Sequence, residues 1–132
     1  MSAIALQVFL YMMEHIEEAK RYISNAKEIL RVKANKQDGY YTDSKYIKMA
    51  GDTAYKGILV ALDGAFAEKL KGRKDVDWYK KNIVSMNKKL LYPFLNAYEI
   101  LHLVMGYDGN ASEKVAKAGL EDAEKIIAAV SI

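Results

Sequence analysis

The stretch that most restricts the fold is KMAGDTAYKGILVALDG, residues 48–64. At 100° per residue, Ala50, Ala54, Gly57, Ala61 and Gly64 fall on one seam, spaced four, three, four and three. Lys48, Asp52, Lys56 and Asp63 occupy a narrow stripe nearly opposite, and Ile47, Tyr55, Ile58, Leu62 and Phe66 fill the flanks. A helix apolar around most of its circumference must be covered on several sides. Each interior glycine costs about 1 kcal/mol relative to Ala. Small side chains offset that cost by letting neighbouring backbones approach closer than the usual ~8–10 Å. The stretch therefore reads as the central helix of a bundle. The competing reading, a seam kept small to admit a ligand, is weaker, because small seams ordinarily serve close packing.

The remaining sequence supplies the partners of that helix. A chain of 132 residues suffices for one domain with a proper core. It holds a single proline and is rich in good helix formers. Helix 1 carries Ile16, Ala19, Tyr22/Ile23, Ala26 and Ile29/Leu30 at spacings of three and four and stops near Asn35, before the Asp38-Gly39 turn signal. Helix 2 is capped by Thr42, Asp43 or Ser44 and runs to about Leu70, ending at Gly72. Asp75 or Asp77 caps helix 3, whose stripe is Tyr79, Ile83, Met86 and Leu90. Pro93 lacks an N–H and starts or kinks helix 4, which ends at Gly106. Asn110 or Ser112 caps helix 5, with Ala116, Gly119/Leu120, Ala123, Ile126/Ile127 and Val130 inward. The expectation is an all-α, single-domain, antiparallel bundle of about five helices spanning residues 1–132.

Few residues carry chemistry. The chain has no cysteine, which removes disulfides, zinc–thiolate sites and thiol nucleophiles and fits a reducing, cytoplasmic setting. His102 shares an apolar face of helix 4 with Leu91, Phe94, Leu95, Tyr98, Leu101 and Met105. His102 and Tyr98 are the only candidates for catalysis. A general base needs an orienting partner, and none is marked in sequence, so His102 reads first as a core or edge residue. His15 precedes the core stripe and reads as surface. Glu99 lies three residues before His102, but a carboxylate di-metal bundle needs two such pairs, and no second exists. The turn YDGN is too short for a calcium loop of 12 residues, and no phosphate-cradling glycine motif follows a strand. No metal and no cofactor are expected.

Charge is distributed unevenly. Residues 69–89 hold eight basic and two acidic residues, so the rest of the chain is net acidic although the whole carries +3. Trp78 and Tyr79 sit among these lysines. Lys80, Lys81, Lys88 and Trp78 are thus the candidate contacts for nucleic acid, with phosphates on the lysines and a base on the indole. A solvated helix face, with Tyr79 turned inward, explains the same pattern more simply. The ten tyrosines, among them Tyr40, Tyr41, Tyr46 and Tyr107 near loops, read as caps on the bundle ends.

The N-terminus, MSAIALQVFLYMM, is apolar without a polar face of its own. It lacks the charges and cleavage site of a signal peptide and is too short to span a bilayer. Residues 1–13 read as a helical extension needing a partner; alternatively, Met12 or Met13 is the native start. Helix 4 also has apolar residues beyond its core face. Ile4, Leu6, Phe9 and Leu10, with Val8, and Ile100, Leu103 and Val104 are therefore the candidate interface residues of a homo-oligomer. No membrane partner is expected.

The segments IEEAKRYISNAKEIL, GYYTDSKYIKMAGDTAYKGILVALDG and NKKLL…AYEILHLVMGYDGN resemble a small bacterial family known only as a domain of unknown function, from about Ile16 to Ile127. More distantly, helix 1 with AGDTAYKGILVALDGAF resembles the HEPN and nucleotidyltransferase-substrate-binding bundles, which carry an Ala/Tyr-rich second helix. HEPN ribonucleases place an Arg before a His on a late helix, with four to six residues between them. Here the corresponding positions before His102 are Leu95, Asn96 and Ala97, none of them basic. The resemblance therefore implies a non-catalytic bundle that dimerises and binds a protein partner or a nucleotide-like ligand, and does not extend to nuclease activity. The expected function is a non-catalytic helical interaction module. A nucleotide- or RNA-binding accessory protein and a ribonuclease using His102 are the alternatives.

Overall fold

The computed structural model describes residues 2–66 and 73–131. The expected end of helix 2 at Leu70–Gly72 lies outside them. Helix α1 spans Ala3–Val32, α2 Ser44–Phe66, α3 Val76–Asn87, α4 Leu91–Ala97 and α5 Glu113–Val130. A 3-10 turn, Lys88–Leu90, joins α3 to α4, and a π-helical segment, Tyr98–Met105, continues α4. The fold is all-α apart from a minimal hairpin, β1 (Lys36–Gln37) against β2 (Tyr40–Tyr41). The expectation of about five helices needs correcting. The third and fourth meet without a loop, so the described residues form four helical runs. The corner is Asn87, extended at φ −163°, with its Oδ1 accepting from Lys89 N–H at 3.2 Å. Pro93 falls in the first turn of α4, where its missing N–H needs no partner.

The hairpin was read from sequence only as a turn. Asp38 and Gly39 both have positive φ, 52° and 83°, the requirement of a tight two-residue connection that follows the strand twist. Its outer strand clips onto the start of α5: Tyr41 N–H donates to Ala111 O at 2.8 Å, and Glu113 N–H to Gly39 O at 3.0 Å. Lys36 pairs with Glu113 across the same junction. Asp75 rather than Asp77 caps α3, accepting from Trp78 N–H at 2.9 Å, and Ser112 caps α5 through Val115 N–H.

Helix α2 packs against α1, the π segment and α5, with Ala50, Ala54, Ile58, Ala61 and Leu62 at most 1% exposed. The glycines are where its neighbours come closest. A Cβ on Gly57 would lie 2.9 Å from Tyr22 Cβ and 3.1 Å from Ala19 O, and one on Gly64 would collide with His15, both on α1. Gly51 faces the opposite way, onto the Leu101 carbonyl, Met105 and the Gly106 backbone. His15 is therefore half-buried under Gly64 and not a plain surface residue. Its Nδ1 lies 2.8 Å from Tyr11 O, and its ring rests on Tyr11. The stripes expected on α1 and α5 are buried as read. On α3, Tyr79 and Ile83 are buried, but Met86 is exposed because the helix ends one residue later and the chain turns at Asn87.

Candidate functional site

Two features stand out: a recess where α2, α3 and the π segment converge, and the apolar start of α1. The recess, about 250 Å3, is lined by Tyr55, Leu59, Lys74, Val76, Tyr98 and His102, with Asp75 and Tyr79 completing it. Larger open grooves of about 530 and 570 Å3 run between α1 and α5, where Lys27 pairs with Glu124 at 2.9 Å.

The structure changes the reading of His102. It does not sit on the core face; its side chain is 46% exposed. The α-helical period projects it inward, but from Tyr98 onward the chain bonds i to i+5. Gly106 N–H, for example, donates to Leu101 O at 2.9 Å. The wider turn keeps Leu101 and Met105 buried and carries His102 to the edge of α2. There it has the partner that the sequence did not mark. Its Nδ1 lies 3.6 Å from Asp52 Oδ1, a close approach longer than a hydrogen bond. Asp52 was assigned to the solvent stripe of helix 2. It also abuts Gly106, where a side chain would collide with its carboxylate. The His102 ring stacks on Tyr55 at 5.0 Å and lies 5.5 Å from Tyr98, and Tyr55 and Tyr98 are 5.7 Å apart. The proximity of Tyr98 to His102 is thus as expected, whereas Tyr55 and Asp52 were missed as members of the cluster. Their i, i+3 spacing on helix 2 was visible, but not which neighbour they faced.

Tyr55 is 9% exposed, and burial pushes its hydroxyl pKa up to about 12. Tyr79, buried beside it, donates from its hydroxyl to Asp63 Oδ1 at 2.8 Å; burial, then that bond, raise its pKa further. Asp63 is also 3.5 Å from Lys74 Nζ, which lies 5.5 Å over the Trp78 ring. Trp78 is the candidate stacking contact of the basic face. It is half-buried, edge-on to Tyr79 and Phe66, and so serves the core as well as the rim. Lys81 and Lys88 are exposed, and Lys80 is 3.9 Å from Asp77. Lys69 and Lys71 lie outside the described residues. At the positions preceding His102, Ala97 is buried and Leu95 half-buried. Among the described residues no group of three His, Asp or Glu side chains is placed to hold a metal.

The second feature is the start of α1. Its buried stripe begins at Ile16, whereas Ile4 is 74% exposed and Leu6, Val8, Phe9, Leu10 and Met13 are all exposed. The helix 4 candidates separate from one another. Ile100 packs against Gly119 of α5, and with Val104 it lines a groove toward Lys114, Val115 and Ala118. Leu103 remains exposed. No helix among the described residues is long and apolar enough to cross a membrane.

Among the described residues, a helical module with a small aromatic recess and an exposed apolar helix end is the class that these features define. The family model described as a domain of unknown function, DUF5618, matches residues 14–132, and the chain belongs to that family. It is similar to a solved structure, a protein of unknown function from Dyadobacter fermentans, at 57% identity and a TM-score of 0.85, covering 90% of this chain and 95% of that one. No curated protein matches it.

Proposed function

We propose that this protein is a non-catalytic, cytoplasmic interaction module that self-associates through the first third of α1. The exposure of Ile4, Leu6, Val8, Phe9 and Leu10 on one continuous helix carries this reading. Leu6, Phe9, Leu10 and Met13 recur at i, i+3, i+4 and i+7, the spacing of a helix–helix seam, and Gln7 is the lone polar side chain between Ala3 and Met13 apart from the Tyr11 hydroxyl. Roughly 20 Å of helix precedes Ile16 at ~1.5 Å per residue. An exposed apolar surface of this kind ordinarily marks an interaction site. The occupant is a second copy, because a two-fold axis lets one such segment per subunit cover another.

Leu103 does not belong to the same patch. Gly64 meets α1 at His15, while Gly51 meets the π segment at Leu101–Gly106, and the two glycines are about 20 Å apart along α2 at ~1.5 Å per residue. Ile4–Leu10 and Leu103 therefore sit toward opposite ends of the bundle, and one chain cannot bring them together. Ribonuclease activity is not proposed, because the positions that would carry the HEPN arginine hold Leu95, Asn96 and Ala97.

Replacing Leu6 and Phe9 together by Asp tests the reading. Light scattering after size exclusion should give a multiple of the chain mass for the wild type and the single-chain mass for the variant, with helical circular dichroism retained. An unchanged assembly in the double variant would move the interface elsewhere.

A further inference from the structure

Among the described residues none hydrogen-bonds the Tyr55 hydroxyl, although the residue is more than nine-tenths buried. Among the described residues no fully buried side-chain polar atom lacks a partner. The hydroxyl must therefore open onto free space, and the space that Tyr55 lines is the recess. A phenol held in that way is left to water or to a ligand, since an unanswered buried hydroxyl is costly.

The surroundings narrow the ligand. Lys74 is answered by Asp63, His102 by Asp52, and Asp75 by the Trp78 N–H that it caps. Lys74, the one lysine of the lining, already has the Asp63 carboxylate beside it, so the recess offers no free cation to an anion. Its walls are flat rings, Tyr55, Tyr79, Tyr98 and His102, with Leu59 and Val76 between them. Aromatic faces of this kind favour offset or edge contact with another ring. A volume of about 250 Å3 falls below the ~300–1,000 Å3 of sites for drug-sized molecules and excludes a peptide. Both Tyr98 and His102 are delivered by the π segment, a rare geometry concentrated at functional sites.

We propose that this recess binds a small nitrogen heteroaromatic ring, gripped by stacking on Tyr98 and His102 and hydrogen-bonded by the Tyr55 hydroxyl. The ring presents a heteroatom lone pair to the phenol, and the imidazole, whose Nδ1 faces Asp52, contributes its ring face. This site is independent of self-association through α1.

The test uses the full chain and three probes, nicotinamide, adenine and uracil, with sodium phosphate and tetramethylammonium chloride as charged controls. Saturation-transfer NMR and titration of intrinsic fluorescence should give a dissociation constant below about 1 mM for at least one heterocycle and no binding of either control. Tyr55→Phe should weaken that binding about tenfold while leaving the melting temperature unchanged, because no described residue hydrogen-bonds the hydroxyl. Failure of all three heterocycles at millimolar concentration would overturn the proposal, as would preferential binding of a charged control. So would equal affinity in Tyr55→Phe, or a lower melting temperature for that variant, which would assign the hydroxyl a partner inside the chain.

Discussion

Gly57 sits where α1 and α2 come closest, with Tyr22 Cβ and Ala19 O both inside the reach of an added methyl. Gly57→Leu, or Ala61→Leu on the same seam, should lower stability by about 1–3 kcal/mol or more, read in a thermal or urea melt. A melt unchanged for both would mean that the seam is not a packing seam. Tyr55 and Tyr79 have hydroxyl pKa values raised above the ordinary value of about 10 by burial, with Asp63 adding to the effect on Tyr79. Below pH 10 both are neutral whether folded or unfolded, and no stability depends on pH through them. Above pH 10 the unfolded chain loses these protons first, so stability should fall as pH rises toward about 12 for Tyr55, by up to about 1.4 kcal/mol per pH unit for each tyrosine. The decline between pH 10 and 12 should be shallower in Tyr55→Phe and Tyr79→Phe, measured by urea midpoints. Parallel curves for wild type and both variants would rule out the tyrosines as its source.

At the scale of elements, the α helices were legible because their apolar residues recur at three and four, and because the α3 and α5 caps, Asp75 and Ser112, are residue types that accept from a helix's first N–H groups. The π segment was not legible. Tyr98–Met105 is composed of ordinary helix formers, and nothing in their spacing announces an i to i+5 bond; the segment lies where Gly51 of α2 meets the Leu101 carbonyl and the Gly106 backbone. That one change of pitch moved His102 from the core face to the edge beside Asp52, and with it the candidate site. The hairpin was legible as Asp38-Gly39 but was too short to leave a strand pattern. Gly51→Ala should accordingly destabilise by about 1–3 kcal/mol, since its Cβ would meet the Leu101 carbonyl and Gly106 backbone rather than a side chain that can swing away. The exposed face of α3 should behave oppositely. Changing Lys80, Lys81 and Lys88 together to Glu should barely move the melting temperature, because the ion pair of Lys80 with Asp77 is solvent-exposed and such pairs contribute about 0–1 kcal/mol. Salt-sensitive retention of labelled RNA by the wild type, abolished in the triple variant, would instead give that face a binding role.

At the scale of the whole molecule, the family match begins at Glu14 and the buried stripe of α1 at Ile16. The folding unit and the exposed apolar segment thus divide at nearly the same residue, by observations that do not depend on each other. The helical start of α1 and its lack of a polar face were readable from residues 3–13; that Ile4, Leu6, Val8, Phe9 and Leu10 are exposed required the fold. Removing the segment should cost the domain little of its core and should cost the assembly its contact. The most direct measurement is sedimentation equilibrium of the full chain beside a variant lacking residues 1–12, at micromolar concentration, with helical circular dichroism recorded on both. Self-association through α1 predicts an assembled full chain and a monomeric variant of nearly equal helicity. A full chain that sediments as a monomer, or a variant that stays folded and assembled, would contradict it.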